Sequence, residues 1–203
     1  MPKRKRKRRG LLIVVSGPSG VGKSTVVRRL LRQNKNITLS ISATTRSPRP
    51  GESDGQQYYF VLPEEFDKMV KAGDFLEWAK VHGSCYGTPL KAVKSALSQG
   101  CDVVCEVDVQ GAEAIKKIVE ARKLIVTTVF VFLIPPSVDI LAFRLKKRKT
   151  ENAQVVNYRL RAAIDELQVM EKYDYIVVND RVESAAEKIK AIINVEKERM
   201  LIN

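Results

Sequence analysis

The chain has 203 residues, of which 44% are hydrophobic and 29% charged, and its formal net charge at pH 7 is +13. This composition is typical of a globular protein with a sizeable core and excludes a disordered chain. No apolar run reaches the roughly 18 residues of a membrane span, because the longest, at 124–134, is interrupted by two threonines. A signal-peptide pattern is also lacking, so we expect a cytoplasmic protein.

Much of the positive charge lies at the N-terminus, where residues 3–9 read KRKRKRR and supply seven positive charges. One interpretation of residues 1–10 is a solvated, disordered basic tail. The other is contact with a polyanion, such as a nucleic acid, an anionic surface or an import receptor. No aromatic residue interleaves the run, so the tail does not identify a nucleic-acid-binding protein.

A phosphate-binding loop is predicted directly after the tail. The apolar run LLIVVS at 11–16 is typical of a buried parallel strand, and VVRRLLRQ further on has helical spacing. Between them, GPSGVGKST completes the pattern G-x-x-x-x-G-K-[ST] in its strand–loop–helix context. Lys23 can reach the β- and γ-phosphates of a nucleotide, and Ser24 can supply an oxygen to Mg²⁺. The predicted nucleotide-binding residues are Gly17, Pro18, Ser19, Gly20, Val21, Gly22, Lys23, Ser24 and Thr25.

The next segment, TTRSPRPGESDGQQYYF at 44–60, places Arg46 and Arg49 three residues apart beside Pro48 and Pro50. Guanidinium groups match the geometry of carboxylate and phosphate, and prolines restrict the backbone that carries them. For an isolated R-x-x-R, a surface loop with solvated charges is the better interpretation. Because this segment follows a strand-like run, however, we expect both arginines to face the phosphate loop across a cleft.

Strand-like runs at 37–42, 102–108, 124–134 and 175–180 alternate with helical patterns at 113–122, 138–148, 157–172 and 183–199. This alternation predicts an α/β fold with a parallel sheet covered by helices on both faces. Residues 43–90 interrupt it with two half-exposed strand patterns around a short helix near Pro63, which predicts a small inserted α+β lobe.

Three cysteines, Cys85, Cys101 and Cys105, form no even-numbered disulfide framework and fit a reducing compartment. A metal site is the alternative for Cys101 and Cys105, which would share one face of a strand. The chain has a single histidine, His82, and no Cys-x-x-Cys pair, so buried small side chains are the better interpretation.

The segments GPSGVGKST, SATTRSPRPGE, YYF, FLEW, YGT and VQG, in this order and spacing, resemble guanylate kinase from about residue 11 to the C-terminus. The resemblance implies Mg²⁺-dependent transfer of the γ-phosphoryl of ATP to GMP, and to dGMP, giving ADP and GDP. It also implies a core at 11–42, 91–134 and 162–203, a GMP-binding lobe at 43–90 and a helical lid at 135–161. We expect a monomer or a small homo-oligomer.

The resemblance also assigns individual residues. The GMP phosphate is expected at Ser42, Arg46, Arg49 and Tyr58, and the guanine at Glu77, Thr88 and Glu106, with Tyr86 lining the pocket. Arg144, Arg148 and Arg159 match lid arginines, which makes them candidate catalytic residues together with Lys23 and Arg46. The family often reads Gly-Arg-Gly-Thr in the lid, whereas this chain has Lys147 and Lys149 at the glycine positions, so we expect a stiffer or differently closing lid.

The chemistry of guanine supports the base-reading set. Its Watson–Crick edge presents the N1–H and N2–H₂ donors beside the O6 acceptor. Carboxylates at Glu77 and Glu106 can accept from the donors, and the Thr88 hydroxyl can donate to O6, whereas adenine would leave the carboxylates unpaired. Taken alone, Glu77 is better interpreted as an exposed strand residue. Glu106 is flanked by apolar residues, where an unpaired charge is costly.

Two further positions have open alternatives. Asp108 is a candidate Mg²⁺ residue, acting through water, or the cap of the following helix. Asn179 matches a position lining the adenine site of ATP or ends a strand in a turn.

Two rival functions are less well supported. A guanylate-kinase-like module that binds proteins commonly lacks the loop lysine and the guanine carboxylates, which this chain retains. A kinase for another nucleoside monophosphate is disfavoured by Glu77 together with Glu106.

Overall fold

The computed structural model describes residues 9–81, 83–121, 126–146 and 153–202, with side chains in the last range described for residues 158–200. The predictions for Arg148, Lys147 and Lys149, and for the basic run through residue 8, lie outside these residues. Within them the chain forms, in order, β1 (Leu12–Ser16), α1 (Lys23–Gln33), β2 (Ile37–Leu39), β3 (Ala43–Thr44), β4 (Tyr59–Phe60), α2 (Pro63–Ala72), β5 (Phe75–Val81), β6 (Ser84–Pro89), α3 (Leu90–Ser98), β7 (Asp102–Glu106), α4 (Val109–Ala121), β8 (Thr128–Ile134), α5 (Val138–Lys146), α6 (Ala153–Leu167), a 3₁₀ turn (Met170–Lys172), β9 (Tyr175–Val178) and α7 (Val182–Ile202).

The larger sheet has five parallel strands in the order β2-β7-β1-β8-β9. Its central strand β1 is buried along its whole length, because helices cover both faces of the sheet. Ile13 and Val15 pack toward α1 and α7, whereas Leu12 and Val14 pack toward α3 and α4. Each such side chain contributes about 1.5–3 kcal/mol on burial. The predicted parallel sheet between two helical layers is confirmed.

A buried ion pair ties the C-terminal helix to the start of β7. The carboxylate of Asp102 is fully buried, accepts the Leu11 N–H at 3.0 Å and pairs with the Lys197 ammonium from α7. Because one buried charge without its partner is strongly unfavourable, this pair favours a single seating of α7 on the sheet.

The smaller sheet has the order β4-β3-β6-β5, and all its strands come from residues 43–89. Helix α2 packs on it through Phe66, whose ring stacks on that of Phe75 with centroids 4.5 Å apart. The inserted α+β lobe is therefore present, and its strand β5 runs beside α4, one of the helices that cover the larger sheet.

Some predicted boundaries were wrong. The run at 37–42 gives a strand only over Ile37–Leu39, and the helix predicted to reach residue 172 ends at Leu167 before the separate 3₁₀ turn. Strand β6 and helix α3 were not predicted. The segment SCYGTP lacks an alternating apolar pattern and forms a strand because it pairs with both β3 and β5.

None of the helices in the described ranges has the length and apolar character needed to cross a membrane.

Candidate active site

The loop between β1 and α1 has glycine where another residue would be strained. Gly17 has φ 140°, and a Cβ there would lie 2.3 Å from the carbonyl oxygen of Leu133. Gly22, with φ 99°, precedes the first residue of α1, and a Cβ would lie 2.7 Å from Nδ2 of Asn179. Such a turn at a helix N-terminus directs backbone N–H groups at an anion.

Lys23 folds back over this loop. Its Nζ donates to the carbonyl oxygens of Gly17 at 2.6 Å and Pro18 at 3.2 Å. The ammonium charge therefore lies within the loop, where the sequence predicted a phosphate contact.

Two other predicted residues support the loop at Val21. Asn179 Nδ2 donates to the Val21 carbonyl oxygen at 2.7 Å, and Arg144 donates to that oxygen at 3.1 Å and to the Asn179 carbonyl at 3.0 Å. Asn179, which the sequence predicted to line the adenine site, is only 2% exposed. In this structure its side chain supports the loop through the bond to Val21. Arg159 lies on α6 of the predicted lid.

Ser24 and Glu106 meet at the carboxyl ends of the adjacent strands β1 and β7. The Ser24 hydroxyl donates a hydrogen bond to the Glu106 carboxylate. Hydroxyl and carboxylate oxygens are ligands that suit Mg²⁺. The structure therefore joins Glu106 to the predicted metal residue of the loop and not to Glu77 and Thr88, with which the sequence grouped it.

Asp108 lies beyond the end of β7 and caps α4, because its Oδ1 accepts the Gly111 N–H at 2.7 Å. A Cβ on Gly111 would lie 3.3 Å from that oxygen and 3.4 Å from Oε2 of Glu77. The carboxylates of Asp108 and Glu77 therefore border the same small space. The capping alternative for Asp108 is present in the structure, and its charge acts on Glu77.

Glu77 and Thr88 lie opposite each other on β5 and β6. The Thr88 hydroxyl donates to Oε1 of Glu77 at 2.7 Å, and the two side chains are buried. Burial raises the pKa of Glu77 against the effect of this hydrogen bond, and the charge of Asp108 adds to the rise. A hydroxyl has one O–H to donate, so in this structure the donor of Thr88 serves Glu77.

The predicted arginine clamp contains a carboxylate that the sequence reasoning missed. Nη2 of Arg46 donates to both carboxylate oxygens of Glu52, at 3.0 and 2.9 Å, and Nη1 donates to the Ser47 carbonyl at 2.6 Å. The backbone N–H of Arg49 donates to the same carboxylate at 2.8 Å. The only sequence signal was a glutamate within the turn PRPGE.

Aromatic rings surround the Arg46 guanidinium. It lies 5.4 Å from the ring centroid of Tyr58, and Tyr58 meets Tyr86 edge to face at 5.9 Å. Burial raises the pKa of Tyr58, Tyr86 and Glu106 add to the rise, and the Arg46 guanidinium opposes it. Ser42 precedes β3 nearby, where its carbonyl accepts the Tyr59 N–H at 2.9 Å.

A second missed carboxylate reaches the phosphate loop from α6. Oε2 of Glu166 accepts the Ser19 N–H at 3.2 Å. Burial raises the pKa of Glu166 against the opposing effects of this N–H and of the Lys23 ammonium. No local signal in the sequence could have found it, because 147 residues separate the two partners.

The cysteines lie outside these contacts. Cys105 is buried in β7, which raises its pKa to about 12, whereas Cys85 and Cys101 are half-buried free thiols. No cluster of three or more metal-ligating side chains occurs within the described ranges.

Comparison with known proteins gives a consistent result. The sequence model of the family described as guanylate kinase matches residues 9–196. The guanylate kinase of Caldanaerobacter subterraneus subsp. tengcongensis is 49% identical over 195 residues, covering 96% of this chain and 91% of the relative. That of Onion yellows phytoplasma is 50% identical over 190 residues, covering 93% and 87%.

Solved structures agree. The crystal structure of guanylate kinase from Anaplasma phagocytophilum superposes with a TM-score of 0.73 at 34% identity, covering 94% of this chain and 88% of that one. A gluconokinase from Sinorhizobium meliloti gives a TM-score of 0.53 at 18% identity over 96% and 98% of the two chains, a likeness that concerns the fold alone.

Proposed function

This chain belongs to the guanylate kinase family and transfers a phosphoryl group from ATP to GMP, and we propose that the loop at 17–25 and the lobe at 43–90 bind its two substrates. The observation that carries the proposal is the separation of two carboxylate groups. Glu106 pairs with Ser24 beside the loop, whereas Glu77 pairs with Thr88 in the lobe and borders Asp108.

At the base end, Glu77 and Asp108 are the carboxylates that accept hydrogen bonds from guanine N1–H and N2–H₂. Glu106 is supported less well in this role than the sequence suggested, because its carboxylate is engaged by Ser24. Thr88 holds Glu77 in place through their 2.7 Å hydrogen bond. Adenine would leave both carboxylates without donors, which disfavours AMP.

At the phosphate end, Arg46, Arg49 and Tyr58 bind the GMP phosphate, with Ser42 and Tyr86 beside them. Phosphoryl transfer needs positioning and charge neutralisation and no covalent nucleophile. Lys23 supplies positive charge at the loop. The lid arginines Arg144, Arg148 and Arg159 complete the neutralisation, with residues 135–161 acting as the lid.

Mg²⁺ fits the loop side of this site, because a hydroxyl and a carboxylate stand together there. Ser24 and Glu106 would hold the ion. The sequence suggested Asp108 as the second Mg²⁺ residue, but one of its carboxylate oxygens caps α4. When bound, Mg²⁺ neutralises charge on the β- and γ-phosphate oxygens of ATP.

ATP phosphates compete with Glu166 in this proposal. The Ser19 N–H that Glu166 accepts is one of the loop donors expected for a phosphate. ATP binding therefore displaces that carboxylate from the Ser19 N–H.

The test is a coupled assay of ADP formation with ATP, in which the acceptor is GMP, dGMP or AMP and Mg²⁺ is varied. We expect Mg²⁺-dependent turnover with GMP and dGMP that exceeds turnover with AMP by about 100-fold or more, as for a site that hydrogen-bonds its substrate. Equal turnover of GMP and AMP would overturn the base-reading proposal.

The remaining assignments are a cytoplasmic location, which the free thiols suit, and a monomer or small homo-oligomer. Contact of the basic tail with polyanions is a further proposal, supported by its run of seven positive charges.

A further inference from the structure

The Glu52 carboxylate connects the two arginines of the clamp. It accepts both hydrogen bonds from Nη2 of Arg46 and the backbone N–H of Arg49, while the Glu52 N–H donates to the Arg49 carbonyl at 3.0 Å. We propose that Glu52 is a positioning residue that fixes Arg46 and the turn at Arg49 for binding of the GMP phosphate. This inference rests on the proposed role of the two arginines.

The first supporting argument is that Glu52 belongs to the turn that it stabilises. Its backbone and side chain both bond to Arg49, three residues earlier. Moving the carboxylate away from Arg46 would therefore also break its hydrogen bond with the Arg49 N–H. A loose surface carboxylate that happened to meet an arginine would lack this second attachment.

Partial burial strengthens the pair. The side chains of Arg46 and Glu52 are 16% and 18% exposed, so water screens their interaction less than it screens a surface ion pair. The Arg49 N–H, followed by Arg46, lowers the pKa of Glu52, so the carboxylate stays ionised at neutral pH.

The guanidinium retains donors for a phosphate. Of its five N–H groups, the bonds to Glu52 and Ser47 use at most three and a hydrogen bond with Tyr86 uses one more, so at least one remains. Arg46 can therefore be held by Glu52 on one edge and bind a phosphate oxygen with another.

Glu52 also offsets repulsion between the two arginines and orders Arg46 before the substrate arrives. A long side chain that is already immobilised loses less conformational entropy on binding. The opposite interpretation is that Glu52 occupies the anion site and competes with GMP. The two interpretations predict opposite signs for the effect of removing its charge.

The decisive variant is Glu52→Gln, which keeps the size of the side chain and removes its charge. Glu64→Gln is the matched control, because Glu64 is an exposed glutamate of the same lobe at the start of α2. For both variants we would measure kcat, KM for GMP, KM for ATP, and the affinities for GMP and for guanosine, which lacks the phosphate.

We expect Glu52→Gln to raise KM and Kd for GMP by about tenfold, the loss of a charge-assisted bidentate contact. Guanosine affinity and KM for ATP should change less than about twofold, because neither ligand places a phosphate in the clamp. Glu64→Gln should match the wild type, and Glu52→Asp should recover part of the loss because it restores the charge.

Unchanged GMP affinity in Glu52→Gln would overturn the inference, and increased affinity would establish competition instead. Equal losses for GMP and guanosine would also overturn it, because they would indicate a collapsed lobe. Arg46→Lys separates this inference from the proposed function. If Arg46→Lys leaves KM for GMP unchanged, the clamp itself is wrong, whereas an effect of Arg46→Lys without one of Glu52→Gln rejects Glu52 alone.

Discussion

The hydroxyl of Thr88 donates a 2.7 Å hydrogen bond to Oε1 of Glu77 across two neighbouring strands of the lobe, and both side chains are buried. A carboxylate in such a position has restricted rotamers and a fixed direction. It can therefore discriminate between purine bases by the donors that they present to it.

We expect Glu77→Gln to lower kcat/KM for GMP at least tenfold, which corresponds to about 1.4 kcal/mol. The amide is a weaker acceptor and introduces a donor that faces guanine N1–H. AMP should lose much less or gain. The measurement is the ratio of kcat/KM for GMP over AMP, and an unchanged ratio would remove Glu77 from base recognition.

The raised pKa of Glu77 predicts an acid limb in the pH profile. As the pH falls through this raised pKa, the free enzyme gains a proton on Glu77 and loses its acceptor. The inflection in kcat/KM for GMP should therefore lie above the ordinary glutamate pKa of about 4.3 and be absent from Glu77→Gln. Stability should change in the opposite direction from activity. Burial disfavours the ionised carboxylate, so the folded state loses stability as the pH rises through the raised pKa of Glu77. Near pH 7, Glu77→Gln should therefore melt at a higher temperature than the wild type.

Glu106 and Asp108 should give different kinetic phenotypes. Glu106→Gln should raise the Mg²⁺ concentration needed for half-maximal rate and lower kcat, whereas Asp108→Asn should raise KM for GMP and reduce the preference over AMP. Each effect should be about tenfold, the scale of a lost charged hydrogen bond. Asparagine also caps helices well, so Asp108→Asn should keep the start of α4. If Glu106→Gln instead changed KM for GMP and Asp108→Asn changed the Mg²⁺ requirement, Glu106 would be the residue that recognises guanine.

Lys23→Ala should lower kcat by about 100- to 1,000-fold, the range found on removing one donor that stabilises a developing charge. Its melting temperature should stay near that of the wild type, since the hydrogen bonds of the ammonium described above are to carbonyl oxygens of the loop itself. Lys35→Ala, at an exposed lysine beyond α1, is the matched control and should be fully active. A well-folded Lys23→Ala enzyme with normal GDP formation would contradict the mechanism.

Deletion of residues 2–9 should leave turnover of GMP unchanged. Gly10 is anchored by its N–H to the Leu97 carbonyl at the amino end of β1, at the opposite end of the strand from the phosphate loop. The deletion should weaken any salt-sensitive binding to a polyanion such as heparin, measured between low and high salt. A large loss of turnover in a folded protein would place the tail in the active site.

The sequence by itself determined the parts of the site that are contiguous in the chain. The phosphate loop is encoded by glycines, Lys23 and Ser24 between a strand pattern and a helix pattern, and local geometry suffices to form it. The alternation of strands and helices likewise specified a parallel sheet between two helical layers. The arginine pair and Glu77 were predicted from short contiguous segments too, but only the resemblance of those segments to the family gave them a role.

Only the tertiary structure decided which partners the carboxylates contact. Glu106 and Asp108 are two residues apart, so a continuous strand would present them on one face. Strand β7 ends at Glu106, however, and Asp108 turns away to cap α4, toward Glu77. Glu106 meets Ser24, 82 residues earlier, because β7 lies beside β1, and Glu166 meets Ser19 through a helix far along the chain. Contacts over such distances depend on the order of the strands and the seating of the helices, which no local pattern encodes.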